Sequence, residues 1–119
     1  MEALSLTIPA GESISDTLPI SYGLKIVRLG MPPAWTSAPL TFQFSADGTS
    51  FQDLYHAAET TEGFWPYETQ IQRVIPNTNL LLPSGTGISI SGFVKFRSGT
   101  AAVPVVQKED RVFAVVVSS

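Results

Sequence analysis

At 119 residues the chain is the size of one domain, long enough to bury a core without staples, and its 44% hydrophobic content argues against disorder. Its net charge is −3 and its seven Lys and Arg are scattered, so no basic footprint exists for a phosphate backbone and nucleic-acid binding is not expected. Cys is absent, which excludes disulfides, thiolate metal sites and cysteine nucleophiles.

Only 14% of residues are charged, well below the usual quarter, which points either to surface buried against partners or to a neutral Ser/Thr-rich coat. No apolar run approaches the ~20 residues that span a bilayer, so no membrane contact is expected. The opening MEALSLTIPAGES lacks the basic and apolar segments of a signal peptide. The expectation is a single domain, 1–119, made and assembled in a cytoplasm.

Nine Pro and nine Gly spread along the chain leave few windows for three unbroken helical turns. Leu4 to Ile8 alternates as a strand and stops at Pro9-Ala10-Gly11. Ser13 to Leu18 alternates less clearly. Leu24 and Ile26 against Lys25, Val27 and Leu29 suit a strand covered on both sides. Met31 to Thr36 is an extended loop, because its prolines fix φ and remove donors. Leu40 to Tyr55 predicts a β-hairpin: Phe42 and Phe44 alternate with Thr41, Gln43 and Ser45, then Ala46-Asp47-Gly48-Thr49 turns the chain, and Phe51 and Leu54 restart the pattern. Leu54 to Thr61 has two readings, a helical turn or two, or a strand end followed by a loop.

Further strands are expected at Gln70 to Ile75, Asn79 to Leu82 and Ile88 to Phe96, the last bent at Gly92. Arg97-Ser98-Gly99-Thr100 reads as a turn, and Arg111 to Val117 as the closing strand. Turn signals about every ten residues predict an all-β fold, an antiparallel β-sandwich or jelly roll with little helix. The run Val112 to Val117 is either a core strand or an intersubunit strand, the latter placing Val115 and Val117 at an interface.

Candidates for chemistry are few. His56 is the only histidine, so two-histidine metal sites are excluded by arithmetic, and no Gly-x-Ser-x-Gly elbow presents a nucleophile to it. Glu59, Glu62 and Glu68 lie near Trp65 and Tyr67, the residue types of a glycosidase, yet all fall in one expected loop and read as solvated acids. Asp47 and Asp53 lack calcium-loop spacing. Ser84-Gly85-Thr86-Gly87 has no following Lys and no helix, so a turn is the reading. No catalytic residue, cofactor or metal is expected. Trp35, Phe64, Trp65 and Tyr67 are the remaining constellation, suited to core packing, a protein interface or sugar stacking.

The hairpin at Leu40 to Tyr55, with its Ser-x-Asp-Gly and following aromatic, resembles one in discoidin-like (coagulation-factor type C) β-sandwich domains. That resemblance implies a sandwich and a binding or structural role, with glycan or lipid contact at end loops; the Cys pair common in those domains is missing here. Leu24 to Trp35 and Phe93 to Gln107 look similar to small proteins from the structural modules of tailed bacteriophages and prophages. This second resemblance implies a non-enzymatic virion protein, a capsid decoration (cement) protein whose partner is the major capsid protein or another virion protein. It would form homo-oligomers, trimers first, and bury Trp35, Phe64, Trp65 and Tyr67 at interfaces. The alternative is a carbohydrate-binding module using Trp35, Trp65 and Tyr67.

Overall fold

Period-two alternation of apolar and polar residues lays out the molecule as two facing antiparallel sheets and a separate hairpin. The computed structural model describes residues 2–82 and 92–119, apart from the side chains of residues 58–60, 64 and 65. The described residues contain no helix. Their strands are β1 (Glu2–Ile8), β2 (Leu18–Ile20), β3 (Lys25–Gly30), β4 (Leu40–Ser45), β5 (Gln52–Asp53), β6 (Tyr55–Thr60), β7 (Gly63–Glu68), β8 (Gln70–Ile71), β9 (Asn79–Leu81), β10 (Gly92–Ser98) and β11 (Arg111–Ser118). One sheet has the order β1-β11-β3-β9, the other β2-β10-β4-β5 with β8 also on β4, and β6 pairs only with β7.

The chain builds a sandwich because alternate residues of each strand are apolar and have nowhere else to go. Leu6, Ile8, Ile26, Leu29, Phe113, Val115 and Val117 come from the first sheet. They meet Leu18, Ile20, Leu40, Phe42, Val94 and Phe96 of the second in one buried cluster. A run of edge-to-face rings stitches the layers: Phe42 to Phe96 at 5.1 Å, Phe96 to Phe113 at 5.4 Å, and Phe113 to Trp35 at 5.6 Å between centroids. Aromatic pairs in this geometry add to their area burial.

Several sequence expectations change on folding. β11 is bonded to β1 on one side and β3 on the other, so it is a central strand with no free edge. Val115 and Val117 are fully buried between the sheets and are core residues, not interface residues. The expected strand Ser13 to Leu18 reduces to a bridge at Ile14 and to Leu18 as the first residue of β2. At the bridge Ser98 N donates to Ser13 O and Ser15 N to Phe96 O; between the two pieces Ser15 Oγ accepts the Phe96 N–H at 2.9 Å in place of a backbone acceptor. The expected strand Gln70 to Ile75 shortens to β8, after which Val74 turns into the core. Arg97 and Ser98 are not a turn but the buried end of β10; the turn falls on Gly99 at φ 90°. A Cβ there would sit 2.4 Å from Val103 O, so only glycine fits. Residues 84–87 and the first part of the expected strand Ile88 to Phe96 lie outside the described residues.

The Asp47 turn forms as the residue types dictate. Asp47 Oδ1 accepts from Thr49 N at 2.8 Å, Ser50 N at 3.0 Å and Ser45 Oγ at 2.8 Å, while Gly48 takes φ 81°. Donors from Ser50, Thr49 and Ser45 hold the Asp47 carboxyl down from 3.8 to about 2. A carboxylate depressed on folding contributes stability above its unfolded value and loses it as pH falls through the folded one. Asp47→Ala is therefore expected to lower the urea midpoint at pH 6, by less than any core truncation, and to flatten the loss of stability between pH 3.8 and about 2. Urea titrations at both pH values check it.

Candidate functional site

The strand that should complete the second sheet along β4 is interrupted. β5 pairs with Gln43 and Phe44, β8 pairs with Leu40 and Thr41, and between them Leu54 N donates to Phe42 O at 3.0 Å. Residues 55–68 leave this line as the β6–β7 arm, and Thr69 N closes its neck by donating to Leu54 O at 3.0 Å. The arm's register runs from Tyr55 opposite Glu68 to Thr60 opposite Gly63, with Thr61 and Glu62 at its tip. At ~3.3 Å per residue the ladder reaches roughly 20 Å. Leu54 to Thr61 is thus neither helix nor loop, and Gly63 to Tyr67 is a strand, not an end loop.

One arginine clips both feet of this arm. Arg97 Nη1 donates to Asp53 Oδ1, just before β6, and Nη2 to Glu68 Oε2, at the end of β7, each at 2.7 Å. Its Nε donates to Thr41 Oγ1 at 3.0 Å, and Thr41 Oγ1 donates onward to Gly99 O at 2.7 Å. Glu68 Oε2 also accepts from Ala101 N at 3.0 Å. Arg97 and Thr41 are opposite each other in the β10–β4 ladder, and both are buried. Bonding from Arg97 holds the Asp53 carboxyl below its usual range.

Under the arm lies a cleft of about 410 Å³. Phe42, Ile71, Leu80 and Leu82 supply its apolar lining, and His56 and Tyr67 stand on its arm side. These two rings stack at 5.5 Å with 19° between planes, and His56 Nδ1 is 2.6 Å from Thr69 Oγ1. Imidazole, phenol and threonine hydroxyl therefore brace the base of the arm. Among the described residues no three His, Asp or Glu side chains gather as a metal site would require.

The aromatic constellation separates. Trp35 lies half-buried against Phe113 and donates its Nε1 to Ala38 O at 3.0 Å, so it belongs to the core margin. Tyr67 is on the arm, 51% exposed, as is Tyr55. Phe64 and Trp65 occupy β7 opposite Glu59 and Ala58, and their side chains lie outside the described ones. Glu59, Glu62 and Glu68 are spread over both arm strands and the tip, not gathered in one loop. Sequence reading missed Arg97, Glu68 and Asp53 as a unit, since 44 and 29 residues separate the arginine from its partners.

Comparison with known proteins returns no match to a family model, a curated protein or a solved structure.

Proposed function

We propose that the protein is a non-enzymatic structural component of a tailed-phage virion, a capsid decoration protein that grips the assembled lattice through its β6–β7 arm. The arm carries this reading. A lone two-stranded hairpin is marginal in water, yet among the described residues this one pairs with neither sheet, and it is anchored at its feet by a buried arginine. Such an arm gains from a partner surface, and Tyr55 and Tyr67 offer exposed amphipathic rings for one. The low charge content and the resemblance to phage structural proteins support the same reading. Binding the lattice and not its dissociated subunits would stabilise the shell by mass action, and repeated weak contacts would add through effective concentration.

The test is co-sedimentation with purified capsids of a phage carrying the gene. Trp65→Ala and Tyr67→Ala are expected to weaken binding, each by about tenfold or more, while the thermal midpoint stays near wild type. An unfolded Trp65→Ala would assign that ring to packing. Failure to bind capsids together with glycan binding that Tyr67→Ala removes would replace this reading by the carbohydrate module. The inward Trp35 leaves that alternative with Trp65 and Tyr67 alone.

A further inference from the structure

The sheet edges of this molecule are not alike. β2 has three residues and carries Pro19, β5 and β8 have two residues each, and β9 has three. Short strands and proline are standard protection against unwanted pairing. β1 departs from this pattern. It is seven residues long, has no proline or bulge, keeps an unbroken register with β11 from Glu2 to Ile8, and has no strand on its other side among the described residues.

One end of that open side is closed from within. Asp16 N donates to Thr7 O, and Thr7 N donates to Asp16 Oδ1, both at 3.1 Å, as a neighbouring strand would do. Thr7 thus turns both backbone groups away from β11. Antiparallel alternation makes Ser5 and Ala3 turn theirs the same way. No described residue bonds those groups of Ala3 or Ser5. The edge is capped at Thr7 and open from Glu2 to Leu6.

We propose that this open segment pairs with the same segment of a second copy of the chain, antiparallel across a two-fold axis, joining the two four-stranded sheets edge to edge. Ala3 of each copy exchanges both backbone bonds with Ser5 of the other, and Leu4 faces its own equivalent on the axis. The Asp16 cap selects this register. Setting Ser5 against Ser5 would bring Ala3 to Thr7, whose groups are already taken, and setting Ala3 against Ala3 would halve the bonds made among the described residues.

A second copy fits this edge for three reasons. Ala3 and Ser5 are small, uncharged and exposed, so two outer faces meet without clash. Leu4 is only half-buried against the core margin and gains cover from its equivalent. The one charge, Glu2, faces Leu6 of the other copy and stays roughly 13 Å along the strands from its own equivalent. The self-association expected from composition then takes two-fold form in place of a trimer. It uses the β1 edge, at the other end of its sheet from β9, and does not depend on what the arm grips.

Sedimentation velocity of the purified chain, from micromolar to near-millimolar concentration, should show a reversible monomer–dimer equilibrium. Ser5→Pro removes only an outward N–H and spares the β11 ladder; it should raise the dimer dissociation constant by about tenfold or more. Ser5→Lys serves the same end if the proline variant does not fold. The chain has no native Cys, so single cysteines report the register. Leu4→Cys should cross-link on oxidation, because facing non-hydrogen-bonded residues lie ~4.5 Å apart at Cα, within disulfide range, whereas Glu2→Cys should not. A wild-type chain that stays monomeric, a dimer that survives both Ser5 variants, or equal cross-linking at Glu2 and Leu4 would overturn the proposal.

Discussion

Arg97→Met is expected to lower the unfolding free energy by about 3 kcal/mol, toward the lower end of the range for breaking a buried ion pair. Methionine keeps much of the apolar stem but leaves Glu68, with its side chain 13% exposed, without its cationic partner. Asp53 is 34% exposed and recovers water more readily, so Glu68 carries most of the loss. Removing both ends of the pair should be milder: Arg97→Met with Glu68→Leu is expected to regain part of the loss, a coupling that a double-mutant cycle in urea measures directly. The Asp53 carboxyl lies below its usual 3.8 because Arg97 bonds it, so its contribution is present above that value and fades as pH falls. In Arg97→Met that part of the acid limb should flatten. Amides of the β6–β7 ladder should also exchange faster, since both feet of the arm lose their clip. Unchanged urea midpoints and exchange rates would show that the arm is held by its neck bond alone.

Phe96→Ala is expected to cost about 3–5 kcal/mol, the range for truncating a fully buried phenylalanine. The ring is inaccessible to solvent and touches Phe42 from its own sheet and Phe113 from the other, both edge-on. Its removal takes away the central link between the layers as well as the buried area. A domain of this size has ~5–15 kcal/mol in total, so the variant should melt at or near physiological temperature. Phe96→Leu keeps most of the volume while losing both ring contacts and should fall between wild type and alanine. Tyr22→Ala, at a residue 95% exposed, should stay within ~0.5 kcal/mol of wild type and controls for the measurement. Calorimetric midpoints ranked otherwise would mean that the sheets are joined chiefly elsewhere.

The long strands were legible in the sequence because alternation is a local signal. Leu4 to Ile8, Leu24 to Leu29, the Phe42–Phe44 strand with its Asp47 turn, and Arg111 to Val117 all lie where their periodicity puts them, within a residue or two. What stayed hidden depends on contacts between distant residues. Nothing near Arg97 announces that Asp53 and Glu68 will meet it, and Gly99 makes the stretch look like a turn two residues early. In the arm Gly63, Pro66 and scattered acids mask the pairing, so the sequence leaves Leu54 to Thr61 open between a helical turn and a strand end with a loop, and makes Gly63 to Tyr67 look like a loop. Pro66 is tolerated there because the arm has no third strand among the described residues to receive its missing N–H. For Trp35 the residue type leaves core packing, an interface and sugar stacking open, and the proline-rich loop that carries it packs its ring onto Phe113.

The central place of β11 sets a timetable for folding. Glu2 pairs with Val117 and Ile26 pairs with the same residue from the other side, so both long neighbours of β11 must wait for the last strand of the domain to appear. Loop closure over about a hundred residues has to be met before those contacts return any free energy. During synthesis β1 leaves the ribosome as a strand without a ladder and β3 has only the three-residue β9 to pair with, whereas the local β4–β5 and β6–β7 hairpins can begin early. Slow completion, in the millisecond-to-second regime of non-local β proteins, and a transient demand for chaperones follow from where one strand sits.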